Sequence, residues 1–521
     1  MERFVNKVIN ATFCVVISLI FFIILFFQWT EYSCKNQYIL SNMQILGLLI
    51  ALFVVCSFIY YAHIKRKGCV QYNKTVDYDK MAFFFAILLF LGQVYVFYNI
   101  FFLTGWDAGV LRDSASQLAL GNNGTILSAE HYYSTYPNNL FLTYMSALIL
   151  KINNDIGVFV GNYAMMSCVL VNCVLNSSAC YLVYKTAKLF VDKKLAFVGF
   201  CIVVMSIGLS PWSVIFYSDS VGVIIPILTF YLYIKPVSNK LQRCLCRFVS
   251  VMVAIVGYFI KPQCVFVLIA IVVIEMVCLL NHFKPAKLLR FVALMVTCVF
   301  LYLIVSFSVE WCTEKVGLTL DDNKTFGVTH FLMMGANETS GGVYSQSDVD
   351  FSQSFATVQD RTNANIEETI ERLKDMGIIG YIKHIGRKML TTFNDGTFAW
   401  NKEGSFYAMI PEALNSKMTT FLKSFYYGDG ARHQYFLLFE QIVWMIIMIF
   451  ALISCFYKRK GMNILWLSVL GLVFYEVLFE ARARYIYIFV PILCLLAVCG
   501  IDIVVKYIKS KIDWMISKKG V

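Results

Sequence analysis

Charge is what this sequence has least of. Only 15% of its 521 residues are Asp, Glu, Lys or Arg, while 59% are hydrophobic. No soluble protein needs that balance, and windows of about 20 apolar residues recur, each long enough to cross a bilayer as a helix. Motifs for several chemistries are missing too. There is no glycine-rich phosphate loop, no HExxH, no Ser/His/Asp set and no kinase signature, which argues against an ATP-driven enzyme or a protease. The 17 cysteines form no CxxC pair and no Cys/His ligand spacing. Most, such as Cys168, Cys173, Cys180 and Cys278, lie inside apolar runs, where a thiol packs as a small hydrophobe. No metal site and no cofactor is therefore expected. No internal repeat or low-complexity tract is visible. No small-residue cleavage site follows the first apolar run, so that run reads as an anchor preceded by Arg3 and Lys7. The net charge of +12 does not point to nucleic acid, because Lys and Arg accumulate on the cytoplasmic loops of membrane proteins.

What is present is an all-α polytopic pattern. The expected spans are Ala11–Trp29, Ile45–Ile64, Met81–Thr104, Ile156–Tyr184, Leu195–Val214, Val221–Ile234, Phe248–Ile260, Cys264–Leu280, Phe291–Val309, Tyr435–Phe456, Met462–Leu478 and Ile486–Val505. Lys65 to Lys67, Lys193-Lys194, Lys235 to Arg247, Lys284 to Arg290, Lys458 to Lys460 and the tail from Lys506 fall on one side, the cytoplasm by the positive-inside rule. Twelve spans put both termini there. Leu140 to Ile152 is short for a span and reads as a helix lying in the outer interface. Lys261-Pro262-Gln263 divides Phe248 to Leu280 into two short spans that meet outside. The expected units are 1–80 with two N-terminal spans, a core at 81–309 with an outer loop at 104–155, an extracytoplasmic domain at 310–434, and 435–521 with the last spans and a basic tail. Within the domain, Ile366 to Met376 reads as an amphipathic helix and Tyr381 to Leu390 as a second helix lying on the membrane, with Lys383, Arg387 and Lys388 placed to meet lipid phosphates.

The chain is organised around residues 105–139, GWDAGVLRDSASQLALGNNGTILSAEHYYSTYPNN. Asp107 follows the third span directly. An acid there is costly to desolvate and tends to face a cavity or a partner, although Asp also caps helices well. The other candidates come out on the same expected side: Arg112, Asp219 in a short turn, Lys261 at the break, and Arg482, Arg484 and Tyr485 between the last two spans. Singly, each has a plain alternative: Asp219 as a cap, Lys261 snorkelling to headgroups, Arg482 paired with Glu480. Jointly they suit transfer of a group carried on a lipid phosphate. A carboxylate takes the proton of an attacking hydroxyl, and cations stabilise charge on the leaving phosphate. Two arginines two residues apart fit an anionic phosphate through their forked donors.

GWDAG at 105–109, STYPNN at 134–139, FYSDS at 216–220, IKPQ at 260–263, NDGTFAW at 394–400 and FEARARY at 479–485 occur in an order that resembles the GT-C glycosyltransferases. The resemblance is to the protein O-mannosyltransferase and aminoarabinose-transferase branch, with the integral membrane proteins of Gram-positive bacteria within it, and it covers most of the chain after Met81. It implies a GT-C fold with about twelve transmembrane helices and interfacial helices in the first large outer loop. It implies an inverting enzyme with Asp107 as base, Asp219 assisting, and Arg482, Arg484, Lys261 and Arg112 on the donor phosphate. Trp106, Tyr136, Asn138, Asn139 and Tyr485 would line the pocket. The implied partners are a polyprenyl-phosphate-linked sugar and a cell-wall, lipid or protein acceptor at the outer face of the cell membrane. The chain departs from familiar members in carrying Ala108 after Asp107, Asn138 after Pro137, and two spans before the shared core. A transporter or flippase of a lipid-linked precursor is the alternative, since twelve spans also suit transporters. That alternative calls for mid-span charges and two similar halves, whereas ionisable residues inside spans are few, Glu275 and Glu476 being examples, and the long loop breaks symmetry. A non-catalytic assembly protein would keep the fold without needing Asp107.

Overall fold

Each of the twelve apolar stretches carries a helix in the computed structural model, which describes residues 2–27, 39–67, 76–400 and 414–518. The end of the first expected span, at residues 28–29, and residues 401–413 of the long loop lie outside the described residues. Among the described residues there is no β-strand. Helices α1 (Glu2–Phe26), α2 (Asn42–Lys67) and α3 (Tyr78–Asn99) lead to α4 (Trp106–Ala119) and α5 (Leu140–Ile156). The bundle continues through α6 (Met166–Ala187), α7 (Lys193–Val203), α8 (Ile225–Ile234), α9 (Lys240–Ile260), α10 (Phe266–Asn281) and α11 (Pro285–Val316). Then come α12 (Val328–Gly335), α13 (Gln346–Gln353), α14 (Val358–Phe393), α15 (Lys417–Tyr426), α16 (His433–Ile453), α17 (Met462–Leu478) and α18 (Val490–Lys518). Among the described residues nine helices are long and apolar enough to cross a membrane. Ser218–Ile234 and α17 are apolar but shorter. The chain is thus an all-α polytopic membrane protein.

The last helix is the hub. In the span that contains it, 78% of the apolar window is buried, against 6% for α11, which therefore lies at the rim. It packs on α16, α7 and α6. Gly500 permits the approach to α16, since a Cβ there would collide with the Phe450 carbonyl.

Local chemistry sets the breaks. Pro262 disfavours helical geometry in the residue before it, and Lys261 is extended at φ −156° and ψ 123°, so α9 stops at Ile260. Helix α11 runs beyond the expected Val309 and ends where Gly317 adopts a left-handed φ of 80°. The two helices expected near 366–376 and 381–390 are halves of α14, divided at Gly377 with φ 58°. The second half does not simply lie on a surface: His384, Lys388, Met389 and Phe393 are buried. Helix α5 buries Leu142, Ser146 and Leu150 and packs on α4, while Leu148, Ile152 and Ile156 are exposed.

Candidate functional site

Four segments distant in sequence meet at one end of the bundle. The first is the start of α4. Its N-cap is Gly105, with no side-chain cap bond, so Asp107 lies inside the first helical turn and does not cap the helix. Trp106, just before it, has φ 46°. A left-handed non-glycine residue stores roughly 1–3 kcal/mol of strain and persists where the surroundings over-determine it. Gly109 eases the packing nearby, because a Cβ would sit a tight 3.0 Å from the Thr104 carbonyl oxygen.

The second segment is the loop at 210–220, shaped by amides inside the apolar helices. Gln93 donates to Asn176 Oδ1 at 3.0 Å and to the Gly208 carbonyl at 2.8 Å. Asn176 donates to the Ile207 carbonyl at 3.0 Å, and Asn172 to the Ser213 carbonyl at 3.0 Å. The bonds to Ile207 and Gly208 satisfy carbonyls of a π-turn, Val204–Gly208, that follows α7. The loop then delivers Tyr217 and Asp219.

The third and fourth segments supply cations. Lys261 is 5% exposed and pairs directly with Asp219, so it does not snorkel. Arg484 reaches Asp219 Oδ2 at 3.6 Å. Its guanidinium lies 4.8 Å from the Trp106 ring centre, 5.6 Å from Tyr217 and 5.5 Å from Tyr485. Lys261 lies 4.2 Å from the Tyr485 ring centre. Three aromatic faces thus accompany two cations and one carboxylate out of water, where cation–π attraction is strongest.

Asp107 faces this cluster across Tyr217, whose hydroxyl donates to Asp107 Oδ2 at 3.3 Å. Burial first, and the Asp107 charge second, push the Tyr217 phenol well above its ordinary pKa, so it remains a donor. Burial, with Tyr217 and Asp107, does the same to Tyr132. Asn139 donates to the Tyr132 hydroxyl at 2.7 Å, and Tyr136 packs against Tyr132 with ring centres 5.4 Å apart. Trp106 Nε1 is buried with no hydrogen-bond partner among the described residues.

The structure therefore brings together Trp106, Asp107, Asp219, Lys261, Arg484 and Tyr485, with Tyr136 and Asn139 joined through Tyr132. It separates the rest. Arg482 pairs with Glu480 at 2.9 Å rather than standing beside Arg484 on one anion. Arg112 is tethered to the Thr104 carbonyl at 2.7 Å and to Asp113 at 2.8 Å. It lines a cavity of only about 30 Å³ with Phe101, Ala108 and Ile215. Asn138 is exposed, and among the described residues its amide reaches only Asn139 Oδ1, at 3.4 Å. A larger groove of about 650 Å³ opens nearby among Asn337, Tyr344, Asp348, Glu368 and Arg372. Tyr344 faces Arg482 from this groove, its ring centre 5.9 Å from the guanidinium. Among the described residues no group of three or more His, Cys, Asp or Glu is placed to hold a metal ion.

Sequence reasoning missed Tyr132 and Tyr217 as members of the site, and Gln93, Asn172 and Asn176 as its supports. Lone amides inside apolar runs were the available signal for the supports, since such groups need partners in a membrane.

A family model described as conserved hypothetical integral membrane protein matches residues 1–504, and the chain belongs to that family. No curated protein matches the chain.

Proposed function

For this member of an integral membrane protein family we propose an inverting glycosyltransferase of GT-C type. It moves a sugar from a polyprenyl-phosphate donor to a hydroxyl on a cell-wall polymer, a lipid-linked glycan or a protein. The observation that carries the reading is the meeting of half-buried Asp107 with the buried Asp219–Lys261–Arg484 cluster. Asp107 takes the acceptor proton as the acceptor oxygen bonds to the anomeric carbon. The bond from that carbon to the phosphate oxygen breaks with its electrons going to phosphate, and one displacement inverts the configuration. Asp219 holds the two cations in place. Arg484, 3.6 Å from Asp219, is the cation whose forked donor set suits the donor phosphate. The Lys/Arg asymmetry supports about twelve crossings, cytoplasmic termini and an outer site. The test is incubation of purified protein with polyprenyl-phosphate hexoses and pentoses and cell-envelope acceptors. Acceptor-dependent donor loss with an inverted product is expected; no loss with any donor contradicts the reading.

One observation favours a transporter instead. Glu440 and Glu476 are buried within α16 and α17, and both Glu440 oxygens lack a hydrogen-bond partner among the described residues. Buried carboxylates in apolar helices mark proton or ion pathways in transporters. Movement of an intact lipid-linked sugar across reconstituted vesicles, with no bond cleaved, would favour that reading.

A further inference from the structure

The segment that carries Arg482, Arg484 and Tyr485 is held by a residue more than ninety positions away from them. Lys388, on the second half of α14, is fully buried. Its ammonium donates to the carbonyls of Gly335 at 2.9 Å, Val477 at 2.9 Å and Phe479 at 2.7 Å. Val477 is at the C-terminal end of α17 and Phe479 is its cap residue. The last carbonyls of a helix have no partner within it and carry the negative end of its dipole, so a buried cation there answers both needs. Three N–H donors meet three acceptors, which is the full capacity of an ammonium.

The neighbouring backbone is built around this side chain. Gly335 packs against the Leu478 and Phe479 backbone so closely that a Cβ would overlap it. Gly342 has φ 75°, and a Cβ there would lie 2.9 Å from Lys388 Cδ. The Gly342 carbonyl in turn accepts from Ala481 N at 2.8 Å. One lysine and one loop thus fix residues 477, 479 and 481, immediately before the two arginines. Burial lowers the Lys388 pKa to about 8, which leaves the group mainly charged at neutral pH.

We propose that Lys388 is a positioning residue, which clamps the end of α17 so that the 479–485 segment presents Arg484 to the site. Its catalytic consequence rests on the glycosyltransferase reading; its structural consequence does not. The test compares Lys388→Met, Lys388→Gln and Gly342→Ala with wild type by amide hydrogen exchange on the full-length protein in detergent, alongside donor kinetics. Lys388→Met removes all three donors, and exchange across 479–485 should quicken by about tenfold or more while α18 keeps its protection. Gln keeps two N–H donors and should restore part of that protection. Gly342→Ala, which displaces the lysine without removing it, should reproduce the local change if Lys388→Met fails to fold. In the kinetic arm, donor KM should rise about tenfold in Lys388→Met with kcat nearly unchanged. Unchanged exchange at 479–485, or an equal rise throughout the bundle, overturns the clamp. Inactive wild-type protein that still shows the local exchange change overturns the glycosyltransferase reading alone.

Discussion

The two ends of α3 carry nearly the same ingredients in opposite surroundings. At its first turn, Asp79 pairs with Lys188 and with Lys193 at 2.7 Å, and accepts from the Tyr184 hydroxyl at 3.0 Å. Past its last turn, at the other end of a 22-residue helix roughly 33 Å long, lies the Asp219–Lys261–Arg484 cluster with its tyrosines. Each network has one carboxylate, two cations and aromatic neighbours. The Asp79 side chain is 34% exposed and Lys193 61%, whereas Asp219, Lys261 and Arg484 are 3%, 6% and 11% exposed. Water reaches the first set far better, even at Lys188, 22% exposed, so its ion pairs add less. The second set loses hydration worth several kcal/mol per ion, and packing apolar groups there is often no less stable. A fold that needed only a staple had a cheaper one available, and used it at Asp79. The buried set, strained at Trp106 and facing Asp107, is where a functional requirement is the better explanation.

That contrast can be broken first by charge removal. Asp219→Asn leaves Lys261 buried beside Arg484 and should cost about 3–5 kcal/mol, whereas Asp79→Asn should cost about 1 kcal/mol or less. Unfolding midpoints in mixed detergent measure both, and equal losses would erase the distinction between the two ends. Acid should sharpen it. His330 is buried near the site, stacked on Phe326 at 3.9 Å, and burial lowers its pKa from 6.5 to about 4. Between those values the unfolded chain binds a proton that the folded one does not. Stability therefore falls as pH drops from about 6.5 to about 4, by up to about 3 kcal/mol. Exchange protection around 326–335 should fade at pH 4.5 before that of α18, and His330→Gln should reduce the difference. A smaller effect separates the two arginines. Arg484→Ala should raise donor KM by roughly tenfold to a hundredfold, the worth of a charge-assisted contact. Arg482→Ala should do less, because its guanidinium is already engaged by Glu480.

The helices were legible because apolar length is a one-dimensional signal. So was the break at Lys261, which Pro262 announces, and the gathering of Asp107, Asp219, Lys261 and Arg484, which follows from their places at span ends. Charge type at a span end does not say which way a side chain turns. Hence Arg482 and Arg112 entered the candidate set while each bonds elsewhere. The tyrosines were hidden by abundance, with 31 in the chain. Lys388 read as a lipid-facing cation, since nothing local marks the carbonyls it meets about ninety residues later. Gly377 was one glycine among 29, and its division of α14 depends on backbone geometry that composition does not encode.

Donor turnover by Asp107→Asn tests whether Asp107 takes up the acceptor proton. Asparagine keeps the size and can still accept from Tyr217, but it cannot serve as the base. General base catalysis supplies about 10²–10⁴-fold in rate, so turnover should fall at least about a hundredfold with the protein folded and the donor bound. Asp113, six residues on and paired with Arg112 at the surface, is the control; Asp113→Asn should stay within about threefold of wild type. Turnover retained by Asp107→Asn, or abolished by Asp113→Asn instead, would contradict the assignment.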